Sequence, residues 1–204
     1  MIGVDFRYEL KILQEPVRAR MCGFGSKDRR PITPPPILKL CVYDSYNNNV
    51  DIRLLSNTDF TVMATIWSED MSEPLDLVKQ RSTDDPMERT FIDPMLKNLV
   101  GSTITNGEIL KDLDNKLGMF FIFNDLSIRK SGNYRIKFSL MCIEMMISVK
   151  LTLQTKVLAS VFSKVVSVYP AKNFPGVVES SPLSVCFAKQ GVKIHVRKEN
   201  MIPK

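Results

Sequence analysis

The sequence predicts an all-β protein, an antiparallel β-sandwich with one or two short helices. Apolar and polar residues alternate over many short segments, as in strands that place one face on a core and the other in water. Clusters of turn-forming residues separate these segments, which do not alternate with helices as in a Rossmann or barrel enzyme. A chain of 204 residues, 44% of them hydrophobic, fits one domain or at most two small ones.

Strand patterns follow one another along the chain. They read FRYELKI (6–12), ILKLCVY (37–43), FTVMATIW (60–67), GMFFIF (118–123), YRIKFSL (134–140), ISVKLTLQ (147–154), SKVVSVY (163–169) and VKIHVR (192–197). A turn is predicted at Asn124-Asp125 and another at Ser131-Gly132-Asn133. We therefore expect short strands joined by tight turns.

One helix is predicted near the end of the chain, at about residues 181–190. Ser181 can cap its first turn, Pro182 suits the first helical position, and Gly191 suits the position just past the last turn. The segment GEILKDLDNK (107–116) is either a second, weaker helix or a polar loop.

Positive charge is concentrated at the two ends of the chain. The net charge of +6 divides as +3 for residues 1–30 (seven Lys or Arg, four Asp or Glu), −1 for 31–185 (sixteen and seventeen) and +4 for 186–204 (five and one). If the fold brings the ends together, they form one basic face suited to a polyanion, either nucleic acid or an anionic membrane. A merely solvated basic surface would give the same charge pattern.

The residue types do not form a constellation for catalysis or metal binding. His195 is the only histidine, and its alternate neighbours Lys193 and Arg197 are basic, which favours a basic strand face over a general base. The four cysteines lack CxxC spacing, which predicts reduced thiols inside a cell. GFGSK lacks the spacing of a phosphate-binding loop, and no apolar run approaches the roughly 18 residues of a membrane span. We therefore expect no enzymatic activity, cofactor, metal or membrane partner.

The most informative stretch is RARMCGFGSKDRRPITPPP, the basic loop of residues 18–36, which is too polar and too broken to be core. Loops between the first strands of a sandwich cluster at its ends. Gly23 and Gly25 let the backbone bend around a ligand, and arginine can hold a phosphate or the edge of guanine with two hydrogen bonds. The prolines are either a rigid bridge into the next strand or a polyproline ligand, and their position favours the bridge.

Two sets of basic side chains are therefore candidates for contact with a polyanion. The basic loop contributes the first set: Arg18, Arg20, Lys27, Arg29 and Arg30. The second set is a secondary basic surface on the predicted helix and on a strand expected at 192–198: Lys189, Lys193, Arg197 and Lys198.

Three blocks of the sequence resemble the velvet family of fungal developmental regulators. They are QEPVRARMCGFGSKDRRPITPPPILKL (14–40), LVGSTITNGEILKDLDNKLGMFFIFNDLSIRKSGNYRIKFSL (99–140) and VYPAKNFPGVVESSPLSVCFAKQGVKIHVRKE (168–199). The resemblance runs from about Tyr8 to Glu199, which makes the chain a single velvet domain over 1–204, similar to the VelB/VosA-like branch.

The resemblance implies an immunoglobulin-like sandwich similar to the DNA-binding half of Rel/NF-κB proteins. It implies a nuclear regulator, with a cytoplasmic pool, that forms homo- or heterodimers with other velvet proteins and controls sporulation and secondary metabolism. Double-stranded promoter DNA would be bound through the basic loop, which maps onto Arg18, Arg20, Lys27, Arg29 and Arg30. The alternative is a dimerisation or adapter module of a velvet complex with little DNA binding of its own.

Two features depart from the family pattern. Pro182-Leu183-Ser184-Val185 stands where the family often has Pro-Leu-Ser-Arg, so one basic side chain is missing. MCIEMMISVKLTLQTK (141–156) is unusually apolar, and it is either an altered strand pair or a partner surface.

Overall fold

The computed structural model describes residues 6–25, 29–55, 59–80, 95–146 and 152–196. Strands dominate these ranges, and we number them in chain order: β1 (Arg7–Gln14), β2 (Arg18–Arg20), β3 (Ile37–Tyr43), β4 (Phe60–Ser68), β5 (Leu77–Lys79), β6 (Met95–Lys97), β7 (Leu99–Val100), β8 (Ile104–Asn106), β9 (Glu108–Lys111), β10 (Leu117–Ile122), β11 (Ser127–Ile128), β12 (Gly132–Met146), β13 (Thr152–Phe162) and β14 (Val166–Tyr169). The described helices are α1 (Pro182–Lys189) and two short 3-10 helices, Ile52–Leu55 and Ala171–Asn173.

Most of the strands belong to two sheets. The four-stranded sheet has the order β1-β3-β10-β9, with every pair antiparallel. The six-stranded sheet has the order β2-β14-β12-β4-β8, and β13 pairs with β12 along the part of β12 that follows the β14 pairing. The β2–β14 pair is parallel. The predicted all-β, sandwich-like fold is confirmed.

The core lies between the two sheets, and the strand registers explain the period-two pattern of the sequence. In β3, Leu40 and Val42 are buried, and they belong to one cluster with Ile136 and Phe138 of β12. The ring of Phe138 also packs against Phe123, with 5.1 Å between the ring centroids. Alternate side chains of each strand therefore meet in a shared core, and the others face outward.

The predicted helix at 181–190 is confirmed as α1. The side chain of Ser181 accepts a hydrogen bond from the backbone N–H of Ser184 at 3.1 Å, and Pro182 occupies the first turn. Gly191 follows the helix with φ of 97°, in the left-handed region where glycine carries no steric penalty. No helix among the described residues is long and apolar enough to cross a membrane.

Helix α1 covers part of the outer face of the four-stranded sheet. Phe187 is fully buried and packs on Phe120, with ring centroids 4.7 Å apart. Ile37, Leu110 and Ile122 complete the buried part of this second apolar cluster. The helix is therefore held by its own core, separate from the one between the sheets.

The interpretation of GEILKDLDNK as a helix is wrong. The segment forms β9, in which Leu110 is buried between exposed neighbours, followed by a tight turn into β10. In that turn Asn115 has φ of 60°, and its N–H donates to the carbonyl of Asp112 at 3.0 Å. Asp and Asn favour such turns, and the alternation before them is that of a strand.

The prediction of a strand at 192–198 is also wrong for its described part. Residues 192–196 form no strand, and the N–H of Ile194 donates to the carbonyl of Val192 at 2.8 Å, which interrupts an extended path. Val192 and Ile194 pack into the cluster beneath α1, so they follow the helix instead of joining a sheet. Arg197 and Lys198 lie outside the described residues.

The apolar segment 141–156 belongs to a strand pair. β12 continues to Met146, and β13 begins at Thr152, which is paired with Met146. The register shifts once, between Leu140 and Met141. The predicted strand ISVKLTLQ is confirmed from Thr152 onward, and residues 147–151 lie outside the described part of the chain.

Replacing Phe187 with alanine should cost about 3 to 5 kcal/mol of unfolding free energy, because it removes the ring that fills the core beneath α1. Chemical denaturation of the wild type and the variant measures this loss. Lys189→Ala on the exposed end of the same helix is the control, with an expected change within about 0.5 kcal/mol. A loss below about 1 kcal/mol for Phe187→Ala would contradict the packing role of the ring.

Replacing Gly101 with alanine should destabilise the protein more than the same change at Gly176. Both glycines have positive φ, 100° and 98°, so both substitutions introduce similar backbone strain. A Cβ at Gly101 would in addition overlap the carbonyl oxygen of Asp125, whereas no such neighbour lies within 4 Å of a Cβ at Gly176. The difference between the melting temperatures of the two variants measures the effect of the overlap between the Cβ and the Asp125 carbonyl. Equal melting temperatures would show that this overlap does not destabilise the protein.

Candidate nucleic-acid interface

The first half of the basic loop is attached to the edges of the strands beside it. Residues 18–20 are strand β2 itself rather than loop. Beyond them, the N–H of Met21 donates to Tyr169 O (2.9 Å), that of Cys22 to Ile128 O (2.9 Å) and that of Gly23 to Arg129 O (3.1 Å). Because three successive amides are bonded, the backbone leading to the glycine-rich tip is fixed.

Arg18 and Arg20 lie on the outer face of the six-stranded sheet. Ala19 between them is fully buried in the core, so alternation turns the two arginines outward. Both are half-buried. Their partners in the parallel register are Ser167 and Tyr169 of β14.

Arg129 holds the glycine-rich tip, a role that sequence reasoning missed. Its Nη1 donates to the carbonyl of Gly23 and its Nε to that of Lys97, each at 2.9 Å. The guanidinium also lies 5.8 Å from the ring centroid of Phe24, within cation–π range. Nothing in the sequence around Arg129 predicts a partner that is 106 residues away.

The second half of the loop is attached to the connection between β10 and β11. Arg29 Nη2 donates to both carboxylate oxygens of Asp125, at 2.5 and 2.6 Å. The hydroxyl of Ser127 donates to Arg30 O at 2.9 Å, and the N–H of Ile32 donates to Leu126 O at 2.7 Å. Arg29 and Arg30 are exposed, so the attachment fixes their backbone and leaves their side chains at the surface.

The three prolines are part of the fold. Pro34 and Pro36 are buried, and the Thr33-Pro34 peptide is cis. Pro35 O accepts a hydrogen bond from Gln14 Nε2 at 2.7 Å, and Pro36 O accepts one from the N–H of Phe123 at 3.0 Å. These contacts fit a rigid bridge, because a polyproline ligand must present its face to another domain.

Two residues of the secondary basic surface, Lys189 and Lys193, lie within the described part of the chain. Lys193 lies near the basic loop, since its carbonyl accepts a hydrogen bond from Asn124 Nδ2 at 2.5 Å and the next residue, Asp125, binds Arg29. Lys189 instead lines a groove with Lys111, beside the turn between β9 and β10. Lys27, Arg197 and Lys198 lie outside the described residues.

Further cations lie at the loop's end of the molecule, and the sequence did not single them out. Lys97 accepts a hydrogen bond from Arg129 through its carbonyl, and Lys130 is the next residue after Arg129. Lys172 follows β14, the strand that pairs with β2. All three lysine side chains are exposed. The four cysteines form no disulfide with one another, and no group of three or more His, Cys, Asp or Glu among the described residues could hold a metal ion. The arrangement presents cations on a fixed backbone, which is a means of binding anions.

The sequence also matches known proteins over nearly its whole length. A family profile described as "Velvet factor" matches residues 8–95 and 89–200. A protein of Aspergillus flavus that is described as part of the velvet complex is 30% identical, with 95% of this chain aligned to 79% of the relative. The protein with the same description from Emericella nidulans is 29% identical over the same shares, and the "Velvet complex subunit 2" of Cochliobolus heterostrophus is 28% identical, with 95% and 86% covered.

The matched region includes the basic loop and the connection between β10 and β11 that holds it, and it also includes helix α1. The profile covers far more than half of the chain, and several relatives align along almost all of it. The chain therefore belongs to the velvet family.

Proposed function

We propose that the protein is a DNA-binding transcriptional regulator without enzymatic activity. The observation that carries the proposal is the basic loop, whose backbone is hydrogen-bonded on both sides while Arg29 and Arg30 remain exposed at its end. Arg18, Arg20 and Lys193 lie near it, so the loop belongs to a larger cationic end. Double-stranded promoter DNA is the polyanion that suits this display of arginine.

The fixed backbone supports binding because it lowers the entropy lost when the loop meets a ligand. Lysines and most arginines would contact phosphates and supply affinity, and one or two arginines would read base edges in the major groove. Phosphate neutralisation releases counterions, so about four to six contacts give a slope of log K against log[salt] of roughly −4 to −5.

The names of the relatives support a proposal about the cellular role. The relatives in Aspergillus flavus, Emericella nidulans and Cochliobolus heterostrophus are named as subunits of velvet complexes. We propose that this chain likewise associates with other velvet proteins as a homo- or heterodimer. It would act in the nucleus, with a cytoplasmic pool, on fungal development, sporulation and secondary metabolism.

An adapter module is the second candidate, and the outer face of the six-stranded sheet favours it. Trp67 and Phe162 meet there edge to face, with ring centroids 5.5 Å apart, and both are half-buried. Lys137 Nζ lies 5.0 Å from the Trp67 ring centroid. Aromatic side chains with a polar surround are typical of protein interfaces, so this face could hold a partner while the basic loop contacts DNA weakly.

Replacing both Arg29 and Arg30 with alanine should abolish promoter binding at physiological salt while the melting temperature changes little, because both side chains are exposed. Gel-shift titrations of the purified protein with promoter and scrambled DNA measure this. Lys116→Ala, on the turn between β9 and β10, is the matched control and should bind as the wild type does. Unchanged binding by the double variant would refute the loop assignment, and equal, weak binding of both DNAs by the wild type would favour the adapter.

A further inference from the structure

Asp125 is an acidic side chain within the described part of the proposed DNA-binding end. It is 40% exposed, and the Arg29 side chain that binds it is 39% exposed, so both face the region that a polyanion would occupy. A carboxylate there repels phosphate, and charge alone predicts that its removal strengthens DNA binding. Its presence therefore needs a physical reason.

The contacts of Asp125 supply that reason. Arg29 Nη2 donates to both of its oxygens, so one nitrogen spans the carboxylate and the arginine is turned toward the β10–β11 connection. The backbone of Asp125 is itself confined, because Gly101 approaches its carbonyl so closely that a Cβ would not fit. Arg29 Nη1 would lie 3.1 Å from that Cβ, so Gly101, Asp125 and Arg29 form one close cluster.

The same connection holds the residues that follow Arg29. Ser127 donates to the carbonyl of Arg30, and Leu126 accepts from the N–H of Ile32. On the other side of Asp125, Asn124 donates to the carbonyl of Lys193. The connection between β10 and β11 thus positions both the basic loop and the segment after α1. Within it, Asp125 holds the basic loop through its charged side chain.

We propose that Asp125 is a positioning residue for DNA binding, acting through Arg29. The pair fixes residues 29–32 against the β10–β11 connection and aims Arg30 at the ligand. The charge of Arg29 is offset by Asp125, so the part that Arg29 takes in binding is to position the segment that carries Arg30. The proposal rests on the DNA-binding function proposed above and deepens it.

Removing the carboxylate should weaken DNA binding if Asp125 positions Arg29, and should strengthen DNA binding if its charge only repels phosphate. Asp125→Ala should weaken promoter binding about three- to fivefold, as expected for an exposed ion pair. Asp114→Ala removes the same charge from the exposed turn between β9 and β10 and should leave binding unchanged. Tighter binding by Asp125→Ala would overturn the proposal, because it would mean that the carboxylate only repels DNA.

The salt dependence separates positioning from contact. Asp125→Ala and Arg29→Ala should each keep the wild-type slope of log K against log[salt], whereas Arg30→Ala should make the slope shallower by about 0.9. The double variant Arg29→Ala/Asp125→Ala should bind no more weakly than either single variant, because both act through one interaction. A slope for Arg29→Ala that is shallower by about 0.9 would overturn the proposal.

Hydrogen exchange tests the pair without DNA. The Ile32 amide, bonded to Leu126, should exchange faster in Asp125→Ala and in Arg29→Ala than in the wild type, while the amides of β12 keep their rates. Unchanged exchange at Ile32 would overturn the positioning role. If the wild type binds no promoter DNA, the proposed function fails and with it the role in binding, whereas faster Ile32 exchange would still show that the pair holds the loop.

Discussion

The attachment of the basic loop to the strands beside it is the constraint on which the cationic end depends. Arginines close in sequence repel one another, and a free loop would spread them apart. Here the amides of Met21, Cys22 and Gly23 are bonded on one side, and that of Ile32 on the other. The backbone hydrogen bonds therefore oppose the repulsion, and the sandwich keeps the charges together because the partner carbonyls belong to its strands and connections.

Strand β1 and helix α1 meet through a small polar cluster. Gln14, at the end of β1, donates to Pro35 O (2.7 Å) and to Ser184 Oγ (2.9 Å), and accepts a hydrogen bond from Ser181. Gln14 and Ser184 are buried, so these bonds satisfy groups that would otherwise be costly to bury. Because Ser181 also caps α1, Gln14 connects three parts of the fold: strand β1, the proline bridge and helix α1. Lys193 lies in the segment that follows this helix.

Sequence patterns predicted the elements that depend on residues close together in the chain. Alternation located every described strand of six or more residues, and the Ser181, Pro182 and Gly191 signals located α1, because a strand face or a helix cap needs only nearby residues. Alternation failed at 192–196, where packing beneath α1 overrides it. The turn at Asn124-Asp125 was predicted, but its bond to Arg29 was not, since 96 residues separate them and only the folded sheets bring them together. The contacts that local patterns could not predict are thus the long-range polar ones.

The two candidate functions use neighbouring parts of one surface. Arg18 and Arg20 face outward from β2, and Trp67 faces outward from β4 on the same face of the six-stranded sheet. Only β14 and β12 lie between them, so three strand spacings, about 14 Å, separate the two arginines from Trp67 across the sheet. That is nearly twice the Debye length at physiological salt, which is about 8 Å, so exposed charges at this separation are largely screened from each other. A partner on the aromatic face and DNA at the basic loop would therefore influence each other little through charge alone, and a linkage between dimer formation and DNA affinity would require direct contact or a change of shape.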